Sequence, residues 1–412
     1  MRNIYTSIDI GSDTVKIIVC ELFNNKINLL ATSSTKSIGI KNGIITDIEE
    51  ASTSVKEAID GIETKLGIKI HDVIALIPSA NASFRLINGI VNIKNDDDII
   101  TKNDIIKVLQ SGMKSLEDDM EMVTILPISF TLDGVEVTKY PLNKKAKILE
   151  SKAILVSTKS KEVYDVMRLM GKCGLEVVDI SISGICDMCA LRSNELDSKV
   201  GAIVNIGSDL TTVSIYNKGI IVRNKVIALG GKAIDNDLAY VYKTSMIEAK
   251  NLKERFSLAS LKYASVSDIY DLTSEDGKII KVNQHEVSEV AVARLEEVIR
   301  QAKLAIDGLA SKDLDYIIFT GGVSNMPYLD LLIQRMFGEV AKIARINIVG
   351  VRNNKYSTSL GNVVYYINKQ KLVGDIKGMV DSIDSLSSIK KNMMNLKEES
   401  MLGKVASYFF GE

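Results

Sequence analysis

The chain has 412 residues, with 51 basic against 52 acidic side chains and a formal net charge of −1. That length suits two to four units of about 100–150 residues each. The even charge balance supplies no basic field for nucleic acid, and 5% aromatics with no Trp argue against base stacking.

In chain order, the first predicted elements are strands Asn3–Ile10, Thr14–Leu22 and Lys26–Thr35, the last two separated by the turn pair Asn24-Asn25. A helix over Ile48–Leu66 follows, carrying Ile48, Val55, Ile59, Ile62 and Leu66 on one face with Ser52 as a gap, then a buried strand Asp72–Pro78. Residues 83–159 read as an inserted unit with a helix Thr101–Leu116 and a strand Leu149–Ser157. Helices 160–172 and 183–192 come next.

The opening pattern then returns. Strands Lys199–Ile206, Thr211–Tyr216 and Gly219–Leu229 lead into a helix 232–242. A second insertion over Ala233–Leu309 precedes the strand Asp315–Thr320, and a helix Lys355–Lys371 crosses back to the first half. A shared order β-β-β-α-β indicates a duplicated domain.

Each copy turns on Gly-Ser-Asp: Gly11-Ser12-Asp13 before Thr14, and Gly207-Ser208-Asp209 before Leu210 and Thr211. Such a strand-turn-strand tip offers backbone N–H groups to phosphate, so two of them imply one polyphosphate held between two halves. A third motif, Thr320-Gly321-Gly322-Val323-Ser324-Asn325, ends a buried strand with a glycine pair that admits a flat or charged ligand. Asp9 is the natural Mg²⁺ partner through water, with Lys16 placed to neutralise phosphate. The cysteines Cys20, Cys173, Cys186 and Cys189 read as structural thiols, because Cys186-Asp-Met-Cys189 has no second pair to complete a zinc site.

These three motifs resemble the phosphate-one, phosphate-two and adenosine motifs of the actin, sugar-kinase and heat-shock ATPase superfamily. Within it the chain resembles the FtsA family of bacterial cell-division actin homologues. Leu126-Pro127-Ile128-Ser129-Phe130, Tyr140-Pro141-Leu142 and Met170-Gly171-Lys172-Cys173-Gly174 are similar to that family's inserted 1C subdomain and the return from it. The resemblance implies an α/β, actin-like (ribonuclease H-like) two-domain fold with an inserted subdomain in each half. It divides the chain into 1A (1–82 and 160–197), 1C (83–159), 2A (198–232 and 311–356) and 2B (233–310). A returning helix (357–374), a linker (375–400) and an amphipathic membrane helix (401–412) complete it.

The resemblance further implies ATP and Mg²⁺ as cofactors, with Asn205 as a second, water-mediated metal partner. Relatives usually carry Asp there, and an amide cannot act as a general base, so binding is expected to exceed hydrolysis. Gly230, Gly231, Lys250, Lys253, Gly321, Gly322, Val323 and Asn325 fall where the family contacts the nucleoside. A two-residue shift of the helix 244–253 instead puts Glu248 on the ribose.

The implied function is a polymerising scaffold, at most a slow ATPase, that tethers FtsZ filaments to the inner face of the membrane. The FtsZ tail peptide is expected on 2B, where Lys250, Lys253, Arg255, Arg294, Arg300 and Lys303 offer positive charge. Leu402, Val405, Phe409 and Phe410 are the expected membrane contacts. The N-terminus has no signal-peptide layout and no apolar run spans a bilayer, so the expected place is cytoplasmic and peripheral. Competing readings are a PilM-like adaptor of a membrane machine and a small-metabolite kinase using the same cleft.

Overall fold

In the first half the strands are β1 (Asn3–Ile10), β2 (Thr14–Phe23) and β3 (Lys26–Lys36), then a two-residue ladder, β4 (Ile40–Lys41) with β5 (Ile44–Ile45). This computed structural model describes residues 3–374, apart from 96, 114, 115, 347, 349 and 352, together with Met379. The expected linker, Met379 aside, and the membrane helix, with Leu402, Val405, Phe409 and Phe410, lie outside the described residues.

Helix α1 (Ile48–Leu66) forms where the periodicity places it. Asp47 caps it by accepting from Glu50 N, Glu49 and Glu50 sit at its positive end, and Gly67 ends it at φ 68°. Val55, Ala58, Ile59, Ile62 and Leu66 are buried, and the gap residue Ser52 is buried with them. Each large apolar side chain on that face contributes roughly 1.5–3 kcal/mol on burial. Strand β6 (Asp72–Ile77) completes the first β-β-β-α-β run.

The inserted unit is a four-stranded sheet, β7-β10-β8-β9, made of β7 (Ser83–Asn92), β8 (Met120–Leu132), β9 (Glu136–Thr138) and β10 (Ile148–Lys159), with α2 (Lys102–Ser111) packed on it. Helix α2 is shorter than the expected Thr101–Leu116. At Gly112 a Cβ would stand 2.7 Å from Asn88 O, so this close approach to β7 closes the helix. Its start is a capping box, in which Thr101 Oγ1 accepts from Asp104 N and Asp104 Oδ2 accepts from Thr101 N. Thr101→Ala is expected to cost ~1 kcal/mol locally, a roughly fivefold faster amide exchange across Lys102–Ser111 that Thr101→Ser restores. Exchange unchanged in the alanine variant contradicts the cap.

Helix α3 (Ser160–Lys172), β11 (Glu176–Ile182) and α4 (Ser183–Leu191) lead to the second half. There β12 (Val200–Ile206), β13 (Thr211–Asn217) and β14 (Ile220–Ile227) repeat the opening meander. Helices α5 (Gly231–Tyr242) and α6 (Met246–Arg255), the hairpin β15 (Ile269–Thr273) with β16 (Ile279–Asn283), and α7 (Gln284–Leu309) follow β14 over the stretch expected as the second insertion. The chain then runs through β17 (Tyr316–Thr320), α8 (Leu329–Phe337), β18 (Ala341–Ile343) and α9 (Ser357–Leu372).

The two five-stranded sheets have the same order. One is β11-β6-β1-β2-β3, the other β18-β17-β12-β13-β14. In both, the central strand is antiparallel to the next strand in sequence and parallel to a later one. Asp9 pairs with Lys16 across the hairpin and with Leu76 across the parallel ladder; Asn205 pairs with Thr212 and Thr320. Asp9 and Asn205 therefore occupy equivalent positions, and the described residues have the α/β, actin-like architecture expected.

Helices α4 and α9 cross where the halves meet. Gly361 of α9 lies so close to α4 that a Cβ would stand 1.7 Å from Cys186 O. Buried polar side chains tie the crossing to both sheets. Ser181 donates to Asn362 Oδ1 at 2.6 Å, Asn362 donates to Ser7 Oγ at 3.0 Å, and Thr320 and Ser357 share a hydrogen bond at 2.9 Å. Beyond α9, Met379 N donates to Ile4 O at the start of β1.

Candidate nucleotide cleft

Both Gly-Ser-Asp hairpins open onto one cleft of about 570 Å³ between the halves. Gly11, Ser12, Asp13, Thr14 and Lys16 line one wall; Gly207, Ser208, Asp209 and Leu210 line the opposite one. Gly231, Lys250, Lys253, Gly321, Gly322, Val323 and Asn325 close the far side, and Asp9 and Asn205 sit at the base. Residues separated by two hundred positions in sequence thus share one space.

Three expected residues stand elsewhere. Thr211 is buried and donates to Leu229 O at 2.7 Å; its neighbour Thr212 lines the cleft instead, as strand alternation requires. Gly230 is taken up by the second hairpin, since a Cβ there would stand 2.4 Å from Ser208 O. Glu248 is half-buried in the first turn of α6, where its N–H donates to the capping Ser245 Oγ, and it is not among the residues that line the cleft. Lys250 and Lys253, three apart on α6, face inward together with Glu254.

Carboxylates in the cleft are matched by lysines. Asp9 pairs with Lys16 at 2.8 Å, Asp13 with Lys250 at 2.6 Å, Asp235 with Lys253 at 2.7 Å, and Asp209 with Lys232 at 3.7 Å. The Asp13–Lys250 pair joins the first hairpin to α6 of the second half. Burial lowers the Lys250 pKa, but the hydrogen bond and charge of Asp13 outweigh this and raise it, so the ammonium stays charged. At Asp235, burial raises the carboxyl above its usual range against the opposing pull of Lys253. Asn42 N donates to Asp209 Oδ2 and Gly43 N to Ser12 Oγ, so one short loop touches both hairpin tips.

A magnesium polyphosphate brings both signs of charge, and these pairs match it: carboxylates for the metal's water shell, ammonium groups and hairpin tips for phosphate oxygens. Gly322 has open space where a Cβ would point, and Gly321 holds φ +89°, a conformation that favours glycine. The residues present fit the group.

Behind Asn205 lies a side chain that the motifs did not single out. Asp187 of α4 is 1% exposed, and both its oxygens accept from Asn205 Nδ2 at 3.0 Å. Thr358 Oγ1 donates to Asp187 Oδ1 at 2.6 Å. Burial pushes the Asp187 carboxyl up to about 6, opposed by the hydrogen bonds from Thr358 and Asn205 and aided by the Asp9 charge. Its only sequence signal is a charge inside an otherwise apolar helix. The neighbouring Cys186 is buried with Ser181 and Asn362 for company, and no metal-holding cluster occurs among the described residues.

The basic residues of the second insertion do not form one patch. Lys250 and Lys253 are committed to the cleft, and Arg294 pairs with Asp237 and Glu297. Arg300 is exposed, and Lys303 donates to Met336 O at 3.0 Å.

The family described as Cell division protein FtsA matches residues 202–361, and that described as Type IV pilus assembly protein PilM matches residues 7–267. The chain is 25% identical to the Cell division protein FtsA of Bacillus subtilis, over 90% of this chain and 86% of that protein. It is 29% identical to the FtsA of Streptococcus pneumoniae, over 92% and 84%. Among solved structures, the PilM-PilN type IV pilus biogenesis complex aligns with a TM-score of 0.60 at 12% identity, covering 88% of this chain and 98% of that one. MreB5 of Spiroplasma citri bound to ADP aligns with a TM-score of 0.56 at 13% identity, covering 91% and 99%. The repeated sheet order is that of an actin-like fold, and the PilM model spans well over half of the chain: the chain belongs to the family described as Type IV pilus assembly protein PilM, and relatives that it matches over most of their length include FtsA proteins.

Proposed function

We propose that this protein is an ATP-binding, actin-like cell-division scaffold that polymerises and holds FtsZ filaments at the inner face of the membrane. The observation that carries the reading is the pair of hairpins facing each other across a cleft of matched charges, in a chain that is similar over most of its length to FtsA proteins. In this reading ATP phosphates lie between Gly11–Thr14 and Gly207–Leu210, with Lys16 and Lys250 released from their carboxylates toward the phosphate oxygens. Asp9 and Asn205 hold Mg²⁺ through water, and the metal supplies charge neutralisation. The nucleoside lies toward Gly231, Lys253, Gly321, Gly322, Val323 and Asn325. Asn205 offers an amide where a base is needed, so turnover is slow.

Residues 401–412 serve as the membrane contact through Leu402, Val405, Phe409 and Phe410, and a polymer multiplies the weak hold of one tail. The FtsZ peptide docks on the second insertion, where Arg255, Arg300 and Lys303 are the expected cations committed neither to the cleft nor to an ion pair named above. A second reading, an adaptor of a PilM-like machine, is favoured by the PilM match over residues 7–267.

Liposome pelleting separates them. Full-length protein with ATP is expected to pellet and to carry FtsZ with it, and truncation after Ser400 is expected to release both while ATP binding survives. Membrane binding that persists after truncation overturns the tail's role. Membrane binding without FtsZ recruitment turns the choice to the PilM-like reading.

A further inference from the structure

At the base of the cleft the second hairpin carries an amide where the first carries a carboxylate. The two positions are equivalent: Asn205 and Asp9 occupy the same register of matching sheets. A carboxylate is nevertheless present, one side chain deeper. Asp187 lies behind Asn205, fully enclosed, and draws the Asn205 NH2 group onto both of its oxygens. Thr358 fixes Asp187 from the other side, and the Asn205 NH2 also reaches Thr358 Oγ1 at 3.0 Å.

This contact dictates which end of the amide faces the ligand. Both Asp187 oxygens and Thr358 Oγ1 accept from Nδ2, so the nitrogen end of the amide points at Asp187. Oδ1 is then turned toward Gly321, where a Cβ would stand 2.4 Å from it. Asn205, Gly321 and Thr358 all line the cleft, whereas Asp187 does not.

The geometry points to Asp187 as a positioning residue that locks the Asn205 amide with its oxygen toward the magnesium-nucleotide site, so that residues 187 and 205 work as one unit. The inference rests on the ATP reading for its ligand, but the unit exists without ligand. Asp187, Asn205 and Thr358 come from α4, β12 and α9, so the unit joins the two crossing helices to the second sheet. An aspartate at 205 with Asp187 in place brings two carboxylates into contact within a buried site, which disfavours the charge of both. Exchanging the two residues moves the carboxylate forward and places the amide donor behind it, which restores a donor–acceptor contact between 187 and 205 at the loss of the donation from 205 to Thr358 Oγ1.

Four proteins test this: wild type, Asp187→Asn, Asn205→Asp and the exchange Asp187→Asn with Asn205→Asp. Melting temperature is read without nucleotide, and affinity for a fluorescent ATP analogue is read in Mg²⁺ and in EDTA. Asp187→Asn, nearly isosteric, is expected to weaken binding about fivefold in Mg²⁺ and less than about twofold in EDTA. Asn205→Asp is expected to lower the melting temperature by on the order of 5 °C, and the exchange to recover most of that loss. The exchange is also expected to bind within about threefold of wild type in Mg²⁺.

Equal weakening in Mg²⁺ and EDTA by Asp187→Asn makes Asp187 merely structural and overturns the proposal. An exchange no more stable than Asn205→Asp overturns it as well. Absence of ATP binding by the wild type instead sinks the ATP reading, and the melting temperatures still decide whether 187 and 205 act as a unit.

Discussion

Replacing Gly361 by alanine is expected to destabilise the protein by about 3 kcal/mol, a fall in melting temperature on the order of 3–4 °C. The added methyl has nowhere to go. Its ideal position lies 1.7 Å from Cys186 O, 2.5 Å from Cys186 C and 3.1 Å from Ala190 N, all backbone atoms of α4. Backbone cannot rotate aside as a side chain does, so α4 and α9 must separate by more than 1 Å. Separation loosens the buried hydrogen bonds between Ser181 and Asn362 and between Thr358 and Asp187. The helix-propensity gain of alanine over glycine, roughly 1 kcal/mol, is too small to offset this. Differential scanning fluorimetry checks the expectation, and Gly308→Ala is the control, because that glycine on α7 has open space around its Cβ direction. A Gly361→Ala protein as stable as the control contradicts the close crossing of the helices.

Much of the fold is readable from residues near one another in sequence. Helix α1 declares itself through Asp47, its apolar face and Gly67, all within one segment. The hairpins declare themselves because β-branched strands flank Gly-Ser-Asp, and the same pattern appears twice. What escapes is set by partners distant in sequence. The end of α2 depends on Gly112 meeting Asn88, and Thr211 turns inward because its hydroxyl finds Leu229 O.

The cleft follows the same division. Its glycines and Asp9 carry motif signals, so they can be named before any coordinates. The direction of α6 cannot, since Lys250 and Glu248 are both polar helix residues and only packing decides which faces Asp13. Asp187 is the sharpest case. In Ser183-Gly184-Ile185-Cys186-Asp187-Met188-Cys189 the two cysteines invite a metal reading, while the residue that matters to the cleft is the lone acid between them. Its partner Thr358 comes 171 positions later.

Nucleotide binding is expected to fail in two further variants for different reasons. Gly207→Val places a branched side chain 3.1 Å from Leu210 O, inside the tight tip where phosphate oxygens approach. Asp9→Ala removes the carboxylate proposed for the Mg²⁺ water shell and frees Lys16, its partner at 2.8 Å. The first variant therefore loses affinity with or without metal. The second loses it chiefly in Mg²⁺, because in EDTA the freed ammonium group favours phosphate.

Titration of the purified full-length protein with ATP by isothermal calorimetry, in Mg²⁺ and in EDTA, tests the paired-hairpin cleft most directly. Wild type is expected to bind one ATP per chain in Mg²⁺. Gly207→Val and Asp9→Ala are each expected to weaken that binding at least tenfold, about 1.4 kcal/mol, with unchanged far-UV circular dichroism. A wild type that takes up no ATP, or two variants that bind it as tightly as wild type, would contradict the assignment of the cleft.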